Sequence, residues 1–232
     1  MPDGLVISEV FGPTVQGEGP SAGQRAAFVR LGTCNLNCSW CDTPYTWDWS
    51  RFDSGRELRR MPAADVARAV AAMDVRRVVL TGGEPLLQQG SPSWEPLVRE
   101  LAKTAAVEVE TNGTQKPVGE WRWWVERFNV SPKLQSSGVD GRRLCWPAME
   151  ALRDTSRAVW KFVMTSTDDF DEVDAYVGAF DLHPHDVWVM PEGRTAAAVV
   201  SGLATLVAPA IERGYNVSSR MQVLMWGDQR GH

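Results

Sequence analysis

Arg77-Val78-Val79-Leu80-Thr81-Gly82-Gly83-Glu84-Pro85 is the stretch that decides the fold. Residues 77–80 read as a short, mostly apolar strand. The chain then turns at once into small and polar residues. Gly82 and Gly83 lack a Cβ, so a ligand can approach their backbone closely. A strand ending in such a loop offers a binding site at its C-terminal end.

The same grammar recurs along the chain. Strands expected over 107–110, 128–130, 159–164 and 187–190 run into Thr111-Asn112-Gly113-Thr114, Ser131-Pro132-Lys133, Thr165-Ser166-Thr167-Asp168-Asp169 and Pro191-Glu192-Gly193. Taken alone, Asn112-Gly113 would read as a hairpin turn. Between the strands, Val66, Ala69, Val70 and Met73 have helical spacing, and Pro62 suits a helix start. Helices are also expected over 94–103, 148–152, 170–180 and 196–213, the last ended by Gly214. Upstream, 6–11 and 26–31 read as strands; downstream, 217–226 reads as the last strand. Strands alternating with helices predict a parallel sheet with helices outside it. In a β/α barrel the loops at the strand C-termini build the site, so these motifs should converge. The units fall short of eight. The predicted fold is therefore α/β: a partial, open β/α barrel of about six parallel strands, in one domain spanning 1–232.

Cys34-Asn35-Leu36-Asn37-Cys38-Ser39-Trp40-Cys41 follows the strand over 26–31. Thiolates are the standard ligands of iron–sulfur clusters, and a closed [4Fe–4S] site needs four. Three leave one iron open to a small chelating molecule, as a catalytic zinc keeps an open position. Two other readings compete. A structural zinc site usually pairs two half-sites, and the three histidines, His183, His185 and His232, lie far from the triplet. A closed cluster completed by Cys145 would make an electron carrier, whereas a lone cysteine is more often a small buried hydrophobe. Asp42 and Thr43 place oxygen atoms beside the cysteines, and such ligands with water suit Mg2+. Gln16-Gly17-Glu18-Gly19 lacks the glycine spacing of a dinucleotide fingerprint and reads as a loop close to a ligand.

Composition narrows the class. A hydrophobic share of 44% and a charged share of 23% are those of a globular protein. A net charge of -5 gives no basic footprint for nucleic acid, and Arg56, Arg59 and Arg60 read as a solvated face. No apolar run is long enough to cross a bilayer, and the N-terminus lacks a signal-peptide pattern. The expected location is the cytoplasm, where thiols stay reduced. Eleven tryptophans, with Trp121, Trp123 and Trp124 clustered, suggest packing or a homodimer interface.

Together these motifs resemble the 7-carboxy-7-deazaguanine synthase family of radical S-adenosylmethionine (SAM) enzymes. The resemblance is carried by the cysteine triplet, Gln16-Gly17-Glu18-Gly19, Arg30, Cys41-Asp42-Thr43, Thr81-Gly82-Gly83-Glu84-Pro85 and Glu110-Thr111-Asn112-Gly113. Ser131-Pro132-Lys133, Trp226-Gly227 and Arg230-Gly231 extend it to the C-terminus. It implies a radical SAM partial barrel and a lyase. That enzyme would contract 6-carboxy-5,6,7,8-tetrahydropterin to 7-carboxy-7-deazaguanine, with loss of ammonia, on the way to queuosine-type 7-deazapurines. It implies a [4Fe–4S] cluster on Cys34, Cys38 and Cys41, SAM, Mg2+ on Thr43, a reductant such as flavodoxin, and a homodimer. Val15, Gln16, Gly17, Arg30, Thr81 and His232 would meet the substrate, with Arg30 on its carboxylate. Trp40, Asp42, Gly83, Ser131, Pro132 and Lys133 would seat SAM. Relatives often carry a His four residues before the Trp-Gly pair; here that position is Gln222. A glycyl-radical activase would share the cysteines and Gly82-Gly83-Glu84 but would not explain Gln16-Gly17-Glu18-Gly19 or Cys41-Asp42-Thr43.

Overall fold

The computed structural model describes residues 4–139 and 141–231. Its strands are β1 (Leu5–Val15), β2 (Arg25–Leu31), β3 (Arg59–Met61), β4 (Arg77–Gly82), β5 (Ala106–Thr111), β6 (Val125–Val130), β7 (Ala158–Met164), β8 (Val187–Pro191) and β9 (Asn216–Val217). Its helices are α1 (Ser54–Glu57), α2 (Ala63–Ala71), α3 (Trp94–Ala102), α4 (Trp146–Arg153), α5 (Phe170–Phe180), α6 (Ala196–Glu212) and α7 (Met221–Trp226). The strands form one sheet in the order β3-β1-β2-β4-β5-β6-β7-β8-β9. From β2 through β9 every pairing is parallel, whereas β1 is antiparallel to both β2 and β3. Six long parallel strands thus match the expected number, and the two-residue β9 extends them. The sheet is open, with β3 and β9 at its edges.

Alternation along the strands explains the layers. Val78 and Leu80, Val107 and Val109, Phe128 and Val130, and Trp160 and Phe162 belong to one buried cluster with the helices. From the helices come Val66 and Val70, Trp94, Leu97 and Leu101, and Phe170, Val173 and Phe180, at three- and four-residue spacing. Each such buried side chain contributes about 2 kcal/mol. The intervening strand positions, Thr81, Glu108, Glu110, Asn129 and Lys161, are polar. A fully buried parallel strand is apolar on both faces; here one face lines a polar interior. Trp121 is buried edge-on against Trp94, with ring centroids 5.3 Å apart, so this tryptophan packs within the chain.

One expectation changes and two local readings gain detail. Of residues 217–226 only Val217 lies in a strand. After β9 the chain bends through Ser218–Arg220 and enters α7. The alternation of Met221, Val223 and Met225 mimics a strand, but Met, Gln and Leu favour helix, and only Val223 of this helix is buried. The connection between Cys41 and Arg60 contains α1 and ends in β3, which pairs with β1 through Val6 and Arg60. Asn112-Gly113 is no hairpin, because β5 and β6 are parallel. Gly113 takes a φ of 77° there, and the Asn112 side chain accepts the Thr114 amide at 3.0 Å.

Candidate active site

At the C-terminal ends of the parallel strands lies a cavity of about 500 Å³. Val15, Gln16, Gly17, Arg30, Cys34, Cys38, Trp40, Cys41, Asp42, Thr43, Thr81, Gly83, Ser131 and Lys133 all border it. Pro132 is buried and does not, so it acts as a rigid spacer between Ser131 and Lys133. His232 lies outside the described residues.

The cysteine loop is held by backbone contacts. Thr33 N donates to Thr46 O at 2.7 Å, and Ser39 N to Ser137 O at 2.9 Å. Gly83 N and Glu84 N reach back to Leu31 O and Thr33 O at 3.2 and 2.8 Å. This contact explains the paired glycines. A Cβ on Gly82 would stand 2.1 Å from Leu31 O, and one on Gly83 2.0 Å from Thr33 O. The neighbouring segment of the same chain needs the space that the two glycines leave, and both also border the cavity. Buried Glu84 closes the junction. Its oxygens accept Leu86 N and Thr111 Oγ1, both at 2.9 Å, and Asn112 N at 2.7 Å, while burial pushes its carboxyl up to about 7.

All three loop cysteines are free thiols facing the cavity. Among the described residues no three His, Cys, Asp or Glu side chains converge on a single-ion site. A single zinc draws all its donors to about 2.3 Å, whereas a cubane cluster takes one thiolate per iron and keeps its ligands apart. Three thiols of one loop on one cavity supply three of the four ligands of such a cluster, so the donor set fits one with an open iron. Cys34 Sγ accepts Leu36 N at 3.4 Å, and Cys41 Sγ accepts Trp47 Nε1 at 3.3 Å. Burial pushes the Cys34 thiol up to about 12, so the charge of bound iron is what favours its thiolate. Cys145, at the start of α4, is half-exposed rather than a buried hydrophobe, and it does not border the cavity. Trp40 Nε1 is buried without a partner, the kind of orphaned donor that a bound molecule satisfies. Lys133 Nζ lies 5.4 Å from the centre of the Trp40 ring and donates to Ser131 Oγ at 2.9 Å.

Sequence reasoning missed the groups that span the sheet's open side. Glu18 accepts from Lys161 on β7, from Arg220 Nε at 3.2 Å and from Gln222 Nε2 at 2.7 Å. Gly19 N donates to Ser218 Oγ at 2.7 Å, and Met221 N to Gly17 O at 3.0 Å. The loop after β1 is thus tied to the segment after β9. Burial alone would raise the Glu18 carboxyl, but Lys161 and Arg220 outweigh it and hold the group well below the usual carboxylate range. Arg220 also pairs with Asp42, and the Thr43 hydroxyl beside it shares a hydrogen bond with Cys41 Sγ at 3.8 Å. On β5, Glu110 accepts Thr81 Oγ1 at 2.7 Å and Gln16 Nε2 at 3.1 Å. A signal existed: Glu108, Glu110 and Lys161 are charged residues inside apolar strands. Gln222 occupies the position where a His was the family expectation. Its amide is fixed by Glu18 and its buried Oε1 has no partner.

Comparison with known proteins agrees with this geometry. The profile of the Radical SAM superfamily matches residues 29–123. The 7-carboxy-7-deazaguanine synthase of Pyrobaculum aerophilum is 35% identical over 97% of this chain and 96% of its own length. The protein of the same name from Rhodopirellula baltica is 34% identical, over 98% and 88% respectively. The crystal structure of QueE from Escherichia coli superposes with a TM-score of 0.69 at 25% identity, over 93% of each chain. With its three-cysteine cavity at the mouth of an open parallel barrel, the chain belongs to the 7-carboxy-7-deazaguanine synthase family of the radical SAM superfamily.

Proposed function

We propose that this chain contracts 6-carboxy-5,6,7,8-tetrahydropterin to 7-carboxy-7-deazaguanine with loss of ammonia, as a radical SAM lyase in 7-deazapurine biosynthesis. The observation that carries the reading is that the three cysteines, Arg30, Thr43, Thr81 and Glu110 border one cavity. When bound, a [4Fe–4S] cluster on Cys34, Cys38 and Cys41 together with SAM supplies the chemistry that removes hydrogen from the pterin C6. The protein's own groups do the rest. Arg30 pairs with the substrate carboxylate, as a guanidinium fork suits. Glu110, oriented by Thr81 and Gln16, offers acceptors to pterin N–H groups. Thr43 offers an oxygen to Mg2+, which is usually held by few protein ligands and several waters. Trp40, Asp42, Ser131 and Lys133 seat SAM, and the enclosing loops exclude water from a reactive intermediate.

Anaerobic turnover with reconstituted cluster, a reductant such as flavodoxin, SAM, Mg2+ and the carboxytetrahydropterin tests this reading. The expected product is lighter than the substrate by one ammonia and is absent with Cys38→Ala. SAM cleavage with an intact pterin would overturn the substrate assignment.

The single sheet supports reading 1–232 as one domain, and free thiols support a reducing, cytoplasmic setting. Among the described residues no helix is long and apolar enough to cross a membrane. A homodimer finds its support on α6 rather than on Trp121. Residues 196–211 carry no charge, yet Val200, Val207 and Ile211 share one face and are 57%, 39% and 67% exposed. A Val207→Glu substitution is expected to halve the mass measured by light scattering; an unchanged dimer would move the interface elsewhere.

A further inference from the structure

Four charged side chains from distant parts of the chain form an alternating row whose two arginines, Arg30 and Arg230, border the cavity. Arg30 borders the cavity and donates through Nε to Glu9 Oε2 at 2.8 Å. Glu9 Oε1 accepts from Arg230 Nε. Arg230 Nη1 in turn donates to Glu57 Oε2 at 2.7 Å, and its guanidinium lies 3.9 Å from the centre of the Tyr45 ring. The Tyr45 hydroxyl donates to Glu9 Oε2 at 3.3 Å. The tail carrying Arg230 is anchored a second time by Asp228, which accepts from Arg194 Nε at 2.8 Å. Among the described residues, Arg30 Nη1 and Nη2 have no protein hydrogen-bond partner.

A carboxylate approaching Arg30 from the cavity has Glu9, which pairs with Arg30 without bordering the cavity, as a like-charged competitor for the guanidinium. A guanidinium takes a carboxylate best through two parallel N–H groups. Left with Arg30 as its only cation, Glu9 would turn to claim that fork. Arg230 prevents the turn by holding Glu9 Oε1. We propose that Arg230 is a positioning residue for substrate selection: it keeps Glu9 on the Nε side of Arg30, so that the Nη1 and Nη2 edge stays open to the pterin carboxylate. The inference rests on the reading that Arg30 receives that carboxylate. It assigns the C-terminal tail a part in telling carboxylated pterins from plain ones.

The test is calorimetric binding of 6-carboxypterin and of pterin to the cluster-loaded protein with SAM and Mg2+, each variant first checked for an unchanged melting temperature. Arg230→Ala is expected to weaken 6-carboxypterin about fivefold and leave pterin unchanged, the scale of a partly exposed charge pair. Adding Glu9→Gln removes the competitor and is expected to restore affinity to within about twofold of the parent. Equal loss for both ligands, or no recovery with Glu9→Gln, would show that Arg230 merely covers the cavity. Arg30→Ala separates the two levels. If it leaves the preference for 6-carboxypterin intact, the substrate reading fails and takes this inference with it. If it abolishes the preference while Arg230→Ala does not, the reading stands and only the role of Arg230 is overturned.

Discussion

A Gly83→Ala variant is expected to lose its iron. A methyl group there would stand 2.0 Å from Thr33 O and 2.9 Å from Cys34 Cβ, so the Thr33-Cys34 peptide has to move. The backbone at Gly82 has a φ of 134°, where alanine would also be strained, whereas the φ of Gly83 lies outside that region. Substitution at Gly83 therefore isolates the collision. Forcing a side chain into close-packed backbone costs about 1–3 kcal/mol when neighbours can yield. Here the neighbour is a loop tied down at Thr46 O and Ser137 O, so the upper end applies. Iron and sulfide content per chain after anaerobic reconstitution gives the readout. A full complement in the alanine variant would show that the cysteine loop is free to shift, contrary to this packing.

Lys161→Ala carries the largest expected loss of stability, about 3 kcal/mol, because removing one partner of a buried pair leaves the other charge uncompensated. Lys161 pairs with Glu18 and lies 4.0 Å from Glu110, and its side chain is 8% exposed against 13% for Glu18. Arg220 remains beside Glu18, which keeps the loss below the full cost of an isolated carboxylate. The urea midpoint measures it. Adding Glu18→Gln is expected to recover part of the shift, since an amide needs no counter-charge. A loss under 1 kcal/mol would place this pair among ordinary surface ion pairs.

Both substitutions fall where sequence reasoning was least complete. The parallel strands were legible because Val78, Leu80, Val107 and Val109 alternate toward the helices, and each run ends in a loop of small polar residues. The cysteine triplet was legible from local spacing and the other site residues from the family resemblance, and of those expected site residues that the structure describes all but Pro132 border the cavity. What local pattern cannot encode is pairing across the open side of the sheet. Lys161 and Glu18 are 143 positions apart, and Arg220 and Asp42 are 178 apart. Each alone reads as a charge near a strand or loop. The last element failed for a related reason. Met221, Val223 and Met225 alternate as in a strand, but the helix starts where Met221 N meets Gly17 O and Gln222 Nε2 meets Glu18, at the opposite end of the chain. The glycines teach a third lesson: their positions were legible but the backbone crowding was not, because the obstructing oxygens belong to residues about fifty positions upstream, on β2 and the loop after it, which pack directly against the end of β4.

A closed eight-strand barrel fixes its bore through strand number and stagger. Here the interval between the first hairpin and the last strand is bridged by loop contacts: Glu18 with the lysine, guanidinium and amide that meet it, and the Gly19 and Met221 amides with Ser218 Oγ and Gly17 O. The width of the chamber is therefore set by contacts between loops rather than by the ladder, so the sheet can stay the same while residues 18, 220 and 222, which lie outside the strands, refit the chamber to a wider or narrower heterocycle.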